Sequence, residues 1–76
     1  MKIIVVSGGF DPIHSGHIAY LKAANNLGNK LIVALNSDAW LIKKKGDYFM
    51  DFNERECILN NISMVDQVIG IEDDEI

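Results

Sequence analysis

Two histidines three residues apart, His14 and His17, lie inside the segment GGFDPIHSGH, which runs from Gly8 to His17. Imidazoles donate hydrogen bonds near neutral pH and suit the stabilisation of charge developing on a phosphorus centre. Gly8 and Gly9 let a backbone turn approach a ligand without a Cβ in the way. The amides of such a turn, with a helix N-terminus behind it, aim donors and a partial positive charge at one spot. Pro12 stiffens the loop, and Gly16 leaves room for a large ligand. Taken alone, a pair at this spacing reads as ordinary loop histidines, with Asp11 as a turn residue. Its position inside a glycine turn favours phosphate chemistry instead. Zinc is a poorer option, because the spacing lacks the glutamate and third ligand of a metalloprotease motif. No metal ligand is therefore assigned. Neither Ser7 nor Ser15 belongs to a recognisable acid–base triad. The chemistry such a site suits is direct displacement at phosphorus, driven by positioning and charge neutralisation.

A phosphate turn needs a strand in front of it and a helix behind. Residues 2–6 are a continuous run ending in Ile3, Ile4, Val5 and Val6, as expected of a strand buried on both faces. From about Ser15 to Leu27, the residues Ile18, Leu21, Ala24 and Leu27 recur at helical spacing, and Gly28 reads as the C-cap. Leu31 to Leu35 form a second strand. Asn36-Ser37-Asp38 ends it and caps a short helix reaching about Ile42. Residues 43–52 read as a basic and aromatic loop. Asn53 followed by Glu56 has capping-box spacing, and the helix after it shows Ile58, Ile62 and Val65 on one side. Val68 to Ile71 form a third short strand. Residues 72–75 are acidic and read as solvated.

Strand, helix, strand, helix, strand is the order of a parallel α/β sheet with crossover connections. Three strands are few for such a sheet. Either the chain is the front part of a larger domain, or a partner chain covers the exposed edge, as in a homodimer. The first is favoured.

Composition limits the rest. Seventy-six residues make at most one small domain, and a chain of that size buries only about 60% of its unfolded surface. The chain is 49% hydrophobic and 24% charged, which is a globular composition. A formal net charge of −4 argues against nucleic acid as a partner. The apolar N-terminal run is too short for a signal sequence or a membrane span. The single cysteine, Cys57, reads as a small apolar core residue on a helix and fits a reducing, cytoplasmic setting.

The segment GGFDPIHSGH resembles the HxGH signature of the nucleotidyltransferase superfamily, which contains cytidylyltransferases and adenylyltransferases. Class I aminoacyl-tRNA synthetases share a related signature, and FDPIHxGH also occurs in nicotinate-mononucleotide adenylyltransferases. The segments LGNKLIVALNSDAWLIKKKG, NERECIL and MVDQVIGIEDDE are similar to those of heptose 1-phosphate adenylyltransferase domains and glycerol-3-phosphate cytidylyltransferases. This resemblance covers nearly the whole chain. It implies a Rossmann-like, three-layer α/β/α domain over residues 1–76, cut short at its C-terminal end, of which only the first β-α-β-α-β part is present. The implied reaction transfers NMP from CTP or ATP, with Mg2+ on the triphosphate, to a phosphorylated sugar or polyol and releases pyrophosphate. The alternatives are a catalytically incomplete phosphate-binding module and a nicotinate-mononucleotide adenylyltransferase.

Carried over position by position, the resemblance makes His14, His17 and Lys44 catalytic. It places Gly8, Gly9, Phe10, Asp11, Gly16 and Lys45 with the histidines on the nucleotide, and Lys44, Arg55 and Asp38 near the acceptor. Asp11 also braces the loop. Gly46 stands where the cytidylyltransferases carry a second lysine or similar polar group, so Lys45 is the expected substitute. The superfamily's second signature, a Ser/Thr-rich basic segment that holds the β- and γ-phosphates, has no counterpart in residues 47–76. Read without the resemblance, the three lysines 43–45 are a solvated loop or charges at a helix C-terminus, and Arg55 is an exposed residue beside Glu54 and Glu56. Trp40, Tyr48, Phe49 and Phe52 read as packing groups.

Overall fold

The computed structural model describes residues 1–72. Three parallel strands, β1 (Ile3–Gly8), β2 (Lys30–Asn36) and β3 (Gln67–Ile71), form one sheet in the order β1-β2-β3. Helix α1 (Ser15–Asn25) connects the first two. Helices α2 (Asp38–Lys45) and α3 (Phe52–Asn60) lie between the second and third. The register sets Val6 beside Val33 and Val33 beside Val68. Because side chains alternate across a strand, Ile4, Val6, Leu31, Val33, Leu35 and Val68 share one face. Leu21 and Ala24 of α1 and Phe52 and Leu59 of α3 close over them. This is a Rossmann-like α/β arrangement, and the described residues build two of its three layers.

The opposite face explains one departure. Ile3 is 52% exposed and Val5 43%, so β1 is not buried on both faces. β1 is an edge strand, and the helices that join the core cover the other side. Central β2 is the strand that behaves as the apolar run suggests, with Leu31, Val33, Ala34 and Leu35 fully buried.

Helix boundaries moved where capping groups outrank apolar spacing. α1 stops at Asn25 with Asn26 as its cap, not Gly28. A Cβ on Gly28 would lie 2.7 Å from the Lys2 carbonyl oxygen, so that glycine lets the turn close onto β1. α2 starts as expected, with the Ser37 hydroxyl accepting from Trp40 N–H, but runs to Lys45. Lys43, Lys44 and Lys45 are therefore its last turn, where cations complement the helix dipole. Gly46 closes the helix at φ +88, and its N–H donates to Ile42 O. That left-handed position accounts for a glycine where a lysine was expected. α3 is capped by Asp51, whose carboxylate accepts from Glu54 N–H at 2.9 Å. The cap is thus two residues before Asn53. Phe52, Arg55 and Leu59 face inward, and Cys57 is exposed rather than in the core. Glu72 is exposed; the rest of the acidic end, residues 73–75, lies outside the described residues. Among the described residues no helix is long and apolar enough to cross a membrane.

Candidate functional site

The site lies where β1 and β2 end. Strands of a parallel sheet bring their carboxyl ends to one edge, and the loops leaving them meet there. From β1 the chain turns through Gly9 to Ile13, with the Asp11–Pro12 peptide cis, and enters α1 at His14.

His14 is the N-cap of α1 and His17 its third residue, and the two rings build the cap themselves. The Gly16 N–H donates to His14 Nδ1 at 3.0 Å, and the His14 N–H donates to His17 Nδ1 at 3.1 Å. This is a capping box with imidazoles in place of the usual hydroxyl and carboxylate. The ring centroids are 4.1 Å apart and tilted by 35°. His14 is exposed and His17 half-buried, and the Phe10 ring stands 4.9 Å from His17. Burial first, and the charge of His14 second, hold the His17 pKa below the ordinary imidazole value. Both rings therefore open onto solvent at a helix N-terminus, side by side. The described residues enclose no pocket around them.

The glycines of the motif serve the protein's own side chains. A Cβ on Gly16 would lie 2.8 Å from His14 Cε1, so Gly16 admits the folded-back imidazole rather than leaving room for a ligand. A Cβ on Gly8 would meet the Phe10 ring at 2.9 Å, and one on Gly9 would meet Leu41 Cδ2 at 2.9 Å. Phe10 adopts φ +51, a left-handed conformation that is costly for a bulky residue. The turn swings its ring into the core, where it is 4% exposed.

Asp11 braces the loop as expected. Its carboxylate accepts from Phe49 N–H at 2.8 Å and Met50 N–H at 2.6 Å, and pairs with Lys45 Nζ at 2.9 Å. Lys45 also donates to the Asp11 carbonyl. Lys45 is thus engaged by the loop it was expected to serve. Burial alone would raise the Asp11 pKa, but the two amides and the Lys45 ammonium outweigh it and hold the carboxyl below its usual range. Replacing Asp11 by Asn is expected to cost about 1–3 kcal/mol of stability, since charge-assisted bonds to a group 1% exposed are lost. The sign with pH follows from the lowered pKa. The stabilisation is complete above the unfolded-state value of about 4 and is lost as pH falls through the lower folded-state value. Urea denaturation across that acid range should show the variant missing this part of the decline. An unchanged acid limb would contradict the assignment.

The resemblance put Arg55 near the acceptor, while the residues read alone put it on the surface. It is fully buried, not an exposed partner of Glu54 or Glu56. Its Nε donates to Met50 O at 2.9 Å, Nη1 to Gly9 O at 2.8 Å and Asn36 O at 2.7 Å, and Nη2 to Asp38 Oδ1 at 2.7 Å. One guanidinium so ties the β1–α1 turn, the end of β2, the start of α2 and the loop before α3. The missed signal was positional. Arg55 falls three residues after Phe52 and four before Leu59, on the inward stripe of its helix.

The remaining candidates are spread around this hub. Asp38 is on the guanidinium, and Lys44 Nζ sits 5.5 Å above the Trp40 ring. Trp40 and Phe52 are half-buried, in keeping with packing. Phe49 is 79% exposed and Tyr48 37%, so these two are surface groups near the Asp11 clamp. Among the described residues no cluster of three His, Cys, Asp or Glu side chains could hold a metal ion. The histidine pair does not resemble a metal site either, because each Nδ1 already accepts a backbone N–H.

Known proteins are similar to this chain over nearly its whole length. A family model described as cytidylyltransferase-like matches residues 5–76. Proteins described as bifunctional protein HldE, from Escherichia coli and Shigella boydii, are 40% identical over 75 residues, which is 96% of this chain. The chain spans only 16% of the length of those curated relatives. A solved structure described as a lipopolysaccharide core biosynthesis protein from Thermoplasma volcanium superposes with a TM-score of 0.89 at 30% identity. That match covers 95% of this chain and 59% of the other.

Proposed function

Because the chain belongs to the cytidylyltransferase-like family, we propose that it supplies the α-phosphate grip of a nucleotidyltransferase. The reaction is transfer of NMP from CTP or ATP to a phosphorylated sugar or polyol. The observation that carries this reading is the pair of imidazoles 4.1 Å apart on the first turn of α1. An anion there meets two ring N–H groups and the positive end of the helix dipole together.

In this reading a phosphate oxygen of the acceptor attacks the α-phosphorus in line, and pyrophosphate leaves. His14 and His17 hold the oxygens on which charge grows, and they work by electrostatic complementarity to the transition state. Lys44 faces the acceptor phosphate. Lys45 has a second place to go, because an arriving phosphate competes with Asp11 for its ammonium. Arg55 and Asp38 act as positioning residues, since the guanidinium is committed to Gly9, Asn36, Met50 and Asp38. Mg2+ enters as part of the metal–nucleotide substrate. The cytosol, where nucleoside triphosphates are plentiful, is the proposed setting. The chain spans 59% of its solved relative, so complete turnover is proposed for a polypeptide that also carries a segment for the β- and γ-phosphates.

The test is pyrophosphate release from CTP and from ATP with glycerol 3-phosphate or heptose 1-phosphate. It should be run on this chain and on any longer natural polypeptide containing it. Release with one acceptor pair is expected. Retained nucleotide binding with no release from any pair would leave a binding module in place of an enzyme.

A further inference from the structure

We propose that the cap of α1 locks His14 and His17 as neutral Nε2–H tautomers, so that the anion site and the helix cap are one hydrogen-bonded unit that acid dismantles. The argument needs only donors and acceptors. A backbone N–H donates and cannot accept, so a ring nitrogen that receives one must carry a lone pair. His14 Nδ1 receives Gly16 N–H and His17 Nδ1 receives His14 N–H. A neutral imidazole with an unprotonated Nδ1 carries its proton on Nε2. Each ring therefore presents one outward N–H and no free lone pair. The pair can donate to an anion, but it can neither ligate a metal nor take up a proton at Nε2.

A proton arriving on either Nδ1 breaks the bond that nitrogen accepts. A proton on Nδ1 would set N–H against N–H and remove one of the two orphan donors' partners at the start of α1. The surroundings offer that proton little. The first turn of α1 holds no acidic residue. From the preceding loop, Phe10 contributes a ring and Asp11 a carboxylate committed to Phe49, Met50 and Lys45. From α2, Lys45 is held on Asp11. At His17 burial first, and any proton taken up by neighbouring His14 second, lower the pKa. At His17 the unfolded chain therefore binds the proton more readily. Stability from the bond that His17 accepts is full above the unfolded imidazole value of about 6.5 and declines as pH falls below it. Acid thus breaks the cap, while each protonated ring keeps its Nε2–H.

The inference rests on the proposed function only for the identity of the anion, and its test needs neither ligand nor turnover. In the 15N-labelled protein, the imidazole nitrogens of both residues are read by NMR together with couplings across the N–H···N bonds. At neutral pH both rings should show a protonated Nε2 and a bare Nδ1. Couplings should join Gly16 N to His14 Nδ1 and His14 N to His17 Nδ1. On acidification each coupling should vanish with the midpoint of the ring that accepts it. An Nδ1–H tautomer in either ring, or a coupling that survives protonation of its ring, would overturn the proposal. A chain inactive in every transfer assay but showing both couplings would lose the enzymatic reading and keep this one.

Discussion

His14→Asn is expected to leave α1 folded and still lower nucleotidyl-transfer turnover by roughly 10²–10³, the usual effect of losing one preorganised donor. The choice of asparagine separates two roles that alanine would mix. Asparagine is among the best N-cap residues, so its side-chain oxygen can take over the bond from Gly16 N–H. What it lacks is an outward N–H at the position of Nε2. His17→Gln makes the matching change at the third position of the helix, where glutamine serves a capping box. Donors that act on charge growing in the transition state should lower kcat more than they raise KM. The measurement is steady-state kinetics in a polypeptide active with the native histidines, with circular dichroism reporting α1. Near-native kcat in both variants would end the proposal that these rings carry the chemistry.

The largest effect on stability is expected from Arg55→Ala. The guanidinium donates to three carbonyl oxygens and one carboxylate, and it is 0% exposed. Removing it leaves Asn36 O without that donor inside the protein and Asp38 without its ion-pair partner. Unpairing buried acceptors and cutting charge-assisted bonds costs about 1–3 kcal/mol for each group, less at Asp38, whose side chain is 33% exposed, and whole domains are stable by only about 5–15 kcal/mol. A chain of this size sits at the lower end, so Arg55→Ala should keep little of its net stability at 25 °C. Arg55→Lys keeps the charge but replaces a planar fork by a point donor. It should fold with a loss of about 1–3 kcal/mol, one or two bonds to a charged group. Equilibrium urea denaturation gives both values. A Lys variant as weak as the Ala variant would show that fork geometry, and not charge, holds the turn. An Ala variant within about 1 kcal/mol of the native protein would remove Arg55 from its place as the hub.

Local patterns in the chain identified the elements and the motif. The strands were visible as apolar runs, α1 and α3 as helical repeats and α2 by its cap, because period and turn chemistry are properties of neighbouring residues. The histidine pair was visible for the same reason, since its partners, Gly16 and each other, lie within three residues. Boundaries were less legible. Apolar spacing and caps compete within a turn, and Asp51 prevailed over Asn53 by accepting from Glu54 N–H.

What the order of residues determined by itself is therefore the α/β alternation and a helix that begins on two imidazoles. What only tertiary structure decided is how distant residues are spent. Arg55 reaches Gly9 across 46 positions, and Lys45 reaches Asp11 across 34. Parallel crossovers bring the carboxyl ends of β1 and β2 together, and only there do those donors find their acceptors. The physical reason is that a hydrogen bond depends on distance in space, while sequence spacing reports distance only within one helix or one strand.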